Sequence, residues 1–154
     1  MSVMGASLRK SKARKQASVV KVAKHDVQTL ALLVHPNMGV LSALQNSFAA
    51  RGVHSLVARD LPTALLALGQ HDFSAAVVYQ RMAEEGDGWA LGSVVRRIFP
   101  DAHIAVICSE KDVASLQAAI NNRLNQVFDE KAGSEDVAET IANRLGVRAL
   151  EMVH

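Results

Sequence analysis

Four side chains of different chemistry stand where apolar runs of the sequence end. His35 follows Thr29–Val34, Gln80 follows Phe73–Tyr79, Cys108 closes His103–Cys108, and Asp129 follows Gln126–Phe128. An imidazole, a thiolate and a carboxylate brought together could hold a transition metal. A thiol beside an imidazole could act as a nucleophile. The plainer reading is a crevice filled by whatever packs there, with no catalytic residue, metal or cofactor. No H-E-x-x-H, Walker-type or G-x-G-x-x-G signature supports the sharper readings. Cys108 is the sole cysteine, which excludes a disulfide framework and a Cys-rich zinc site. Glu84, Glu85 and Asp87 crowd one polar loop, read as a solvated face that could contribute to a cation site.

These residues need elements to hold them. The chain of 154 residues is one ordinary domain in size, and 49% apolar against 21% charged residues supports a packed core. No apolar run is long enough to span a bilayer. Apolar runs of strand length alternate with stretches of helical spacing. The strands are Thr29–Val34, Ser55–Ala58, Phe73–Tyr79, His103–Cys108 and Gln126–Phe128. The helices cover 38–51, Pro62 to Gly69, Trp89 to Phe99, a stretch opened by Ser109 as N-cap, and one starting at Ser134.

Inward faces are assigned by spacing: Leu41, Leu44 and Phe48; Leu91, Val94, Val95 and Ile98; Val113, Leu116 and Ile120; Val137, Ile141 and Leu145. Strands apolar on both faces and separated by helices imply a parallel sheet covered on both sides. The expected fold is an α/β, flavodoxin-like, doubly wound five-stranded parallel sheet of order 2-1-3-4-5 with five helices. In such a sheet His35, Gln80, Cys108 and Asp129 converge at the carboxyl ends of the strands, where ligands bind.

Charge divides the chain. Residues 1–25 hold Arg9, Lys10, Lys12, Arg14, Lys15, Lys21 and Lys24 and no carboxylate, whereas ten Lys/Arg face fifteen Asp/Glu from Asp26 onward. The reading is a basic, disordered tail over 1–26, a domain over 27–147, and a C-terminal extension over 148–154. The arm could solubilise the protein, contact nucleic-acid phosphates or another acidic partner, or sit on an anionic membrane. Aromatics make up 4% of the chain and the arm has none, so stacking on bases is not available to it. No secretory apolar region follows the N-terminal charges, and a cytoplasmic location is expected.

The segment Leu32–Met38, the loop ending Gly86-Asp87-Gly88 before a helix, Arg96–Pro100 before the fourth strand, and Ile104–Glu110 resemble a response-regulator receiver domain over roughly residues 28–146. The resemblance implies phosphoryl acceptance by an aspartate at the end of the third strand, with Mg²⁺ held by an acid pair after the first. Counting back from Asp87-Gly88 puts the acceptor position at Gln80, with Tyr79 its neighbour. The acid pair reads His35-Pro36. The usual Thr or Ser falls at Cys108, the usual lysine at Asp129, and the switching aromatic at Gln126. An amide cannot form an acyl phosphate, and Mg²⁺ wants hard oxygen ligands. The expectation is therefore a non-catalytic pseudo-receiver in signal transduction, acting as a stand-alone adaptor without phosphorylation.

Its partner is expected to be a protein, with a homodimer possible. Trp89 could anchor that partner or pack at the core edge. Asn121-Asn122-Arg123 replaces a usual glycine, with Asn122 expected to take the left-handed turn and Gln126 beside it on a remodelled surface. His54, His71 and His103 are read as solvated termini. The alternatives are a nucleic-acid-associated regulator using the arm, and a small metal or ligand binder at the crevice.

Overall fold

The computed structural model describes residues 29–146. Five strands alternate with five helices. They are β1 (Leu30–Val34), α1 (Met38–Ala49), β2 (His54–Ala58), α2 (Leu61–Gln70), β3 (Ala75–Tyr79), α3 (Asp87–Ile98), β4 (His103–Cys108), α4 (Val113–Asn121), β5 (Gln126–Asp129) and α5 (Ser134–Leu145). All strand pairs are parallel, in the order β2-β1-β3-β4-β5. The flavodoxin-like order expected from the sequence is the one observed.

The pleat sends alternate residues of each strand into separate cores. Ala31, Leu33 and Val77 meet α1 and α5 through Leu41, Phe48 and Ile141. Leu32, Val34 and Val78 meet α2 and α3 through Leu68, Leu91 and Val95. Local chemistry fixes the helix starts. Asn37 caps α1 by accepting the Val40 N–H at 3.1 Å, and Asp60 caps α2 by accepting the Thr63 N–H at 2.8 Å.

Four expectations are corrected. The N-cap of α4 is Asp112, not Ser109, because Asp112 and Ser115 form a reciprocal capping box. Val94 and Ile98 face outward on α3. Gly88 and Gly92 lie on the inner face with Leu91 and Val95, and a Cβ at Gly88 would collide with the Tyr79 carbonyl. The glycines let α3 approach the sheet closely, and that approach sets its rotation.

On α4, Val113, Leu116 and Ile120 are 81%, 44% and 68% exposed, while the small residues Ser115 and Ala119 face the sheet. Finally, Arg123 and not Asn122 adopts the left-handed conformation, at φ 61°. Asn122 instead closes α4, with its side-chain amide and its backbone N–H both donating to the Ala118 carbonyl.

Candidate functional site

The crevice at the carboxyl ends of the strands is built from short, polar connections. His35 directly follows β1, and its backbone N–H donates to the Ala58 carbonyl of β2. Pro36 follows and offers only a carbonyl, and Asn37 then caps α1. The His35 Nδ1 accepts the Asn37 N–H at 3.0 Å, so the neutral ring carries its proton on Nε2. The ring lies against Tyr79, with centroids 4.4 Å apart. Burial holds the His35 pKa below its ordinary value, partly offset by the carboxylate of Glu130.

Gln80 sits one residue beyond β3. Its N–H donates to the Ile107 carbonyl, and its own carbonyl accepts the Gly88 N–H at 3.0 Å. Its Oε1 accepts the Ser109 N–H at 2.8 Å, tying the end of β3 to the β4–α4 loop. The loop between Gln80 and Gly88 is organised by Asp87, whose carboxylate accepts the N–H groups of Met82, Ala83 and Glu84. Burial pushes the Asp87 carboxyl up, and these N–H bonds outweigh it, so its pKa ends below the ordinary value. Of the acidic loop, Glu84 and Glu85 are solvated, but Asp87 is the loop's own staple.

Cys108 is fully buried and points to the α4 side, packed with Ala119, Val127, Trp89 and Leu124. Its Sγ donates to the carbonyls of Glu110 and Phe128, and burial raises its pKa. His35 lies with Tyr79 on the opposite face of the sheet, the α1–α5 side. Activation of Cys108 by His35 is thus overturned by the pleat: Ile107 faces one layer and Cys108 the other. Asp129 pairs with Cys108 in register, and its Oδ1 accepts the Lys131 N–H at 2.8 Å. Among the described residues, no three His, Cys, Asp or Glu side chains gather as a metal site would require.

Of the remaining expected residues, Trp89 lies beside the crevice, whereas His103, Gln126 and Arg123 lie at the opposite, amino-terminal ends of the strands. Trp89 is half-buried against the Cys108 cluster. The His103 Nε2 and Gln126 Oε1 are 3.0 Å apart on neighbouring strands, so His103 is half-buried and not a solvated terminus. Arg123 is exposed, and its carbonyl accepts from the Arg96 Nε at 2.9 Å. The arm residues Arg9, Lys10, Lys12, Arg14, Lys15, Lys21 and Lys24, with the terminal extension over 148–154, lie outside the described residues.

With this geometry in place, comparison with known proteins has a clear outcome for the fold. Neither a family model nor a curated protein matches the sequence. Solved structures do. The chain superposes on a CheY-like response regulator receiver domain protein from Methanospirillum hungatei JF-1 with a TM-score of 0.70 at 13% identity, covering 78% of this chain and 95% of that one.

A response regulator protein from Burkholderia pseudomallei, with a phosphorylated aspartic acid, calcium ion and citrate, gives 0.67 at 20% identity, covering 81% and 75%. The chemotaxis response regulator CheY4 of Vibrio cholerae gives 0.68 at 14% identity, covering 76% and 98%. The chain carries the receiver fold. In that receiver fold the strand ends of β1, β3, β4 and β5 bring His35, Gln80, Cys108 and Asp129 to one edge.

Two features of the site and one outside it were not foreseen from sequence. The Tyr79 hydroxyl donates to the Glu130 Oε1 at 2.8 Å, tying the end of β3 to the β5–α5 turn. Burial and the adjacent Glu130 raise the Tyr79 pKa. The amide of Gln80 bridges two loops. At the opposite end of the sheet, Arg96 is buried and spends its guanidinium on the Arg123, Pro100 and Ala102 carbonyls and the Asn125 Oδ1, with no carboxylate partner among the described residues. The arginine pair Arg96-Arg97 was legible as a local pattern, but its buried role was not.

Proposed function

We propose that the chain is a degenerate receiver of the response-regulator family, a signalling module that works by protein-protein contact and without aspartyl phosphorylation. The observation that carries this reading is Gln80. It stands at the end of β3 in the acceptor's place, and its amide oxygen is already committed to the Ser109 N–H. A side-chain amide is not a nucleophile toward a phosphoryl group.

Its neighbours support the same reading. His35 and Pro36 replace the acid pair and offer Mg²⁺ no side-chain carboxylate. Asp129 puts an anion where a transferred phosphate would want a cation, and that carboxylate is engaged in its own turn. Cys108 replaces the hydroxyl, with its thiol turned to backbone carbonyls. Together these changes remove nucleophile, metal ligands and counter-cation from one edge of the sheet.

The contact surface in this reading is α4. Val113, Leu116 and Ile120 form an exposed apolar stripe, bordered by the Arg123 turn and by Gln126 on the edge strand. Apolar side chains exposed at this spacing mark a docking face. A protein partner covers it in the cytoplasm, with a second copy of this chain the other candidate. Among the described residues, no helix is long and apolar enough to cross a membrane.

The test is affinity capture from cell extract with the full chain, alongside Val113→Glu and Ile120→Glu. A protein retained by the native chain and lost with both variants supports the surface. Equal capture by all three counts against it.

The charge asymmetry favours one second reading, in which the arm contacts nucleic-acid phosphates. Seven cations without a carboxylate in residues 1–25 would give non-specific affinity that falls steeply with salt. Deleting residues 1–25 should abolish such binding; binding unchanged by the deletion excludes it.

A further inference from the structure

A cavity of 470 Å³ opens between the first half of α1 and the β5–α5 turn. That volume lies in the range of small-molecule sites. Its lining is divided. Val40, Leu44 and Val137 form an apolar wall, and His35, Glu130 and Lys131 stand around it as polar groups. The two charges are of opposite sign and adjacent in the chain. Glu130 uses Oε1 to accept the Tyr79 hydroxyl, which leaves Oε2 as a second acceptor. Lys131 forms no ion pair with any described residue. Beside it, α5 begins at Ser134, which also lines the cavity, and the N-cap Gly133 supplies no side-chain cap to the first turn. Its first-turn N–H groups are donors, but the same turn carries Glu135, paired with Arg51, and Asp136, so the cation for an anionic group is Lys131.

This combination selects among ligands. A simple carboxylate would meet Lys131 but be repelled by Glu130, and a simple amine would meet the reverse problem. A hydrocarbon would use neither charge, both of which water already reaches. A ligand with both signs on one small head and an apolar tail satisfies the whole lining. We propose that this cavity binds a free amino acid with an apolar side chain. Its ammonium would meet Glu130, its carboxylate Lys131, and its side chain the wall of Val40, Leu44 and Val137. His35, neutral near pH 7 because burial resists its protonation, adds a hydrogen-bond donor without a third charge. Binding here stands whether or not α4 docks a partner.

The experiment is calorimetric titration of the full chain with L-leucine, L-valine and L-phenylalanine. L-leucinamide, N-acetyl-L-leucine and glycine are the controls. The expected result is saturable binding of at least one of the three apolar amino acids. The amide and the acetyl derivative, each lacking one charge, should bind at least about tenfold more weakly, as should glycine, which lacks the tail. Lys131→Met and Glu130→Gln should each weaken binding by a similar factor. Both positions are exposed, so the melting curve should barely move. Absence of saturable binding by all three amino acids overturns the assignment. So does equal binding of leucine and its two derivatives, or binding unchanged in both variants.

Discussion

Gln80 and Ser109 are joined across the mouth of the sheet by one hydrogen bond, side-chain oxygen to backbone N–H, at 2.8 Å. The bond links the loop after β3 to the loop after β4. It is made by a neutral group that needs neither metal nor phosphate to form. Removing it in Gln80→Ala should cost about 1 kcal/mol and speed hydrogen exchange at the Ser109 amide. Exchange measured by NMR checks this; an unchanged Ser109 amide would contradict the clasp.

The left-handed Arg123 turn gives a pair of opposite effects. An arginine at φ 61° carries a steric cost that glycine avoids, so Arg123→Gly should stabilise the fold by about 1 kcal/mol. Arg96 holds the same turn through the Arg123 carbonyl and is buried with three further acceptors. Arg96→Met should cost about 2–4 kcal/mol, because those acceptors lose a charged donor. Urea denaturation reads both, and the sign of the Arg123→Gly change is the sharper check.

Gly88 packs so closely on β3 that a Cβ would meet the Tyr79 carbonyl and lie 2.8 Å from the Gln80 Cα. Backbone cannot move aside as a side chain can. Gly88→Ala should therefore cost about 3 kcal/mol, the upper end for overpacking. At Gly92 the obstacle is the flexible end of Leu124, and Gly92→Ala should cost less. Thermal unfolding of the two variants gives the ranking.

His35 and His103 set a pH dependence. Burial lowers both pKa values below the ordinary 6.5; at His103 the Gln126 hydrogen bond opposes the shift, while Arg144 and Arg96 add to it. The unfolded chain therefore takes up protons that the folded one resists. Their contribution to stability is complete above about pH 6.5 and is lost as pH falls toward the lowered folded values. Urea midpoints at about pH 7.5 and about pH 5.5 should differ in that direction. The difference should shrink in a variant carrying His35→Gln and His103→Gln.

Much of the fold was legible because the apolar runs of β1, β3 and β4 are short, bounded and separated by helical stretches. The strand order followed from that alternation. Helix faces were harder. On α3, spacing alone admitted Val94 and Ile98 to the core, and only the close approach of Gly88 and Gly92 excluded them. On α4, the small residues Ser115 and Ala119 won the inner face from three larger apolar ones, a choice made by packing at the sheet edge. The site was legible as strand-end positions but not as contacts. Which layer Cys108 enters depends on the pleat, and the pairing of Tyr79 with Glu130 spans elements far apart in sequence.

The most direct test of the central claim is intact-mass measurement after incubation with acetyl phosphate and Mg²⁺. The expected result is an unmodified chain. It should stay unmodified in Gln80→Asp, because Pro36 and Asp129 still deny the site a metal ligand and a cation. A labile phosphoryl adduct on the native protein would contradict the account.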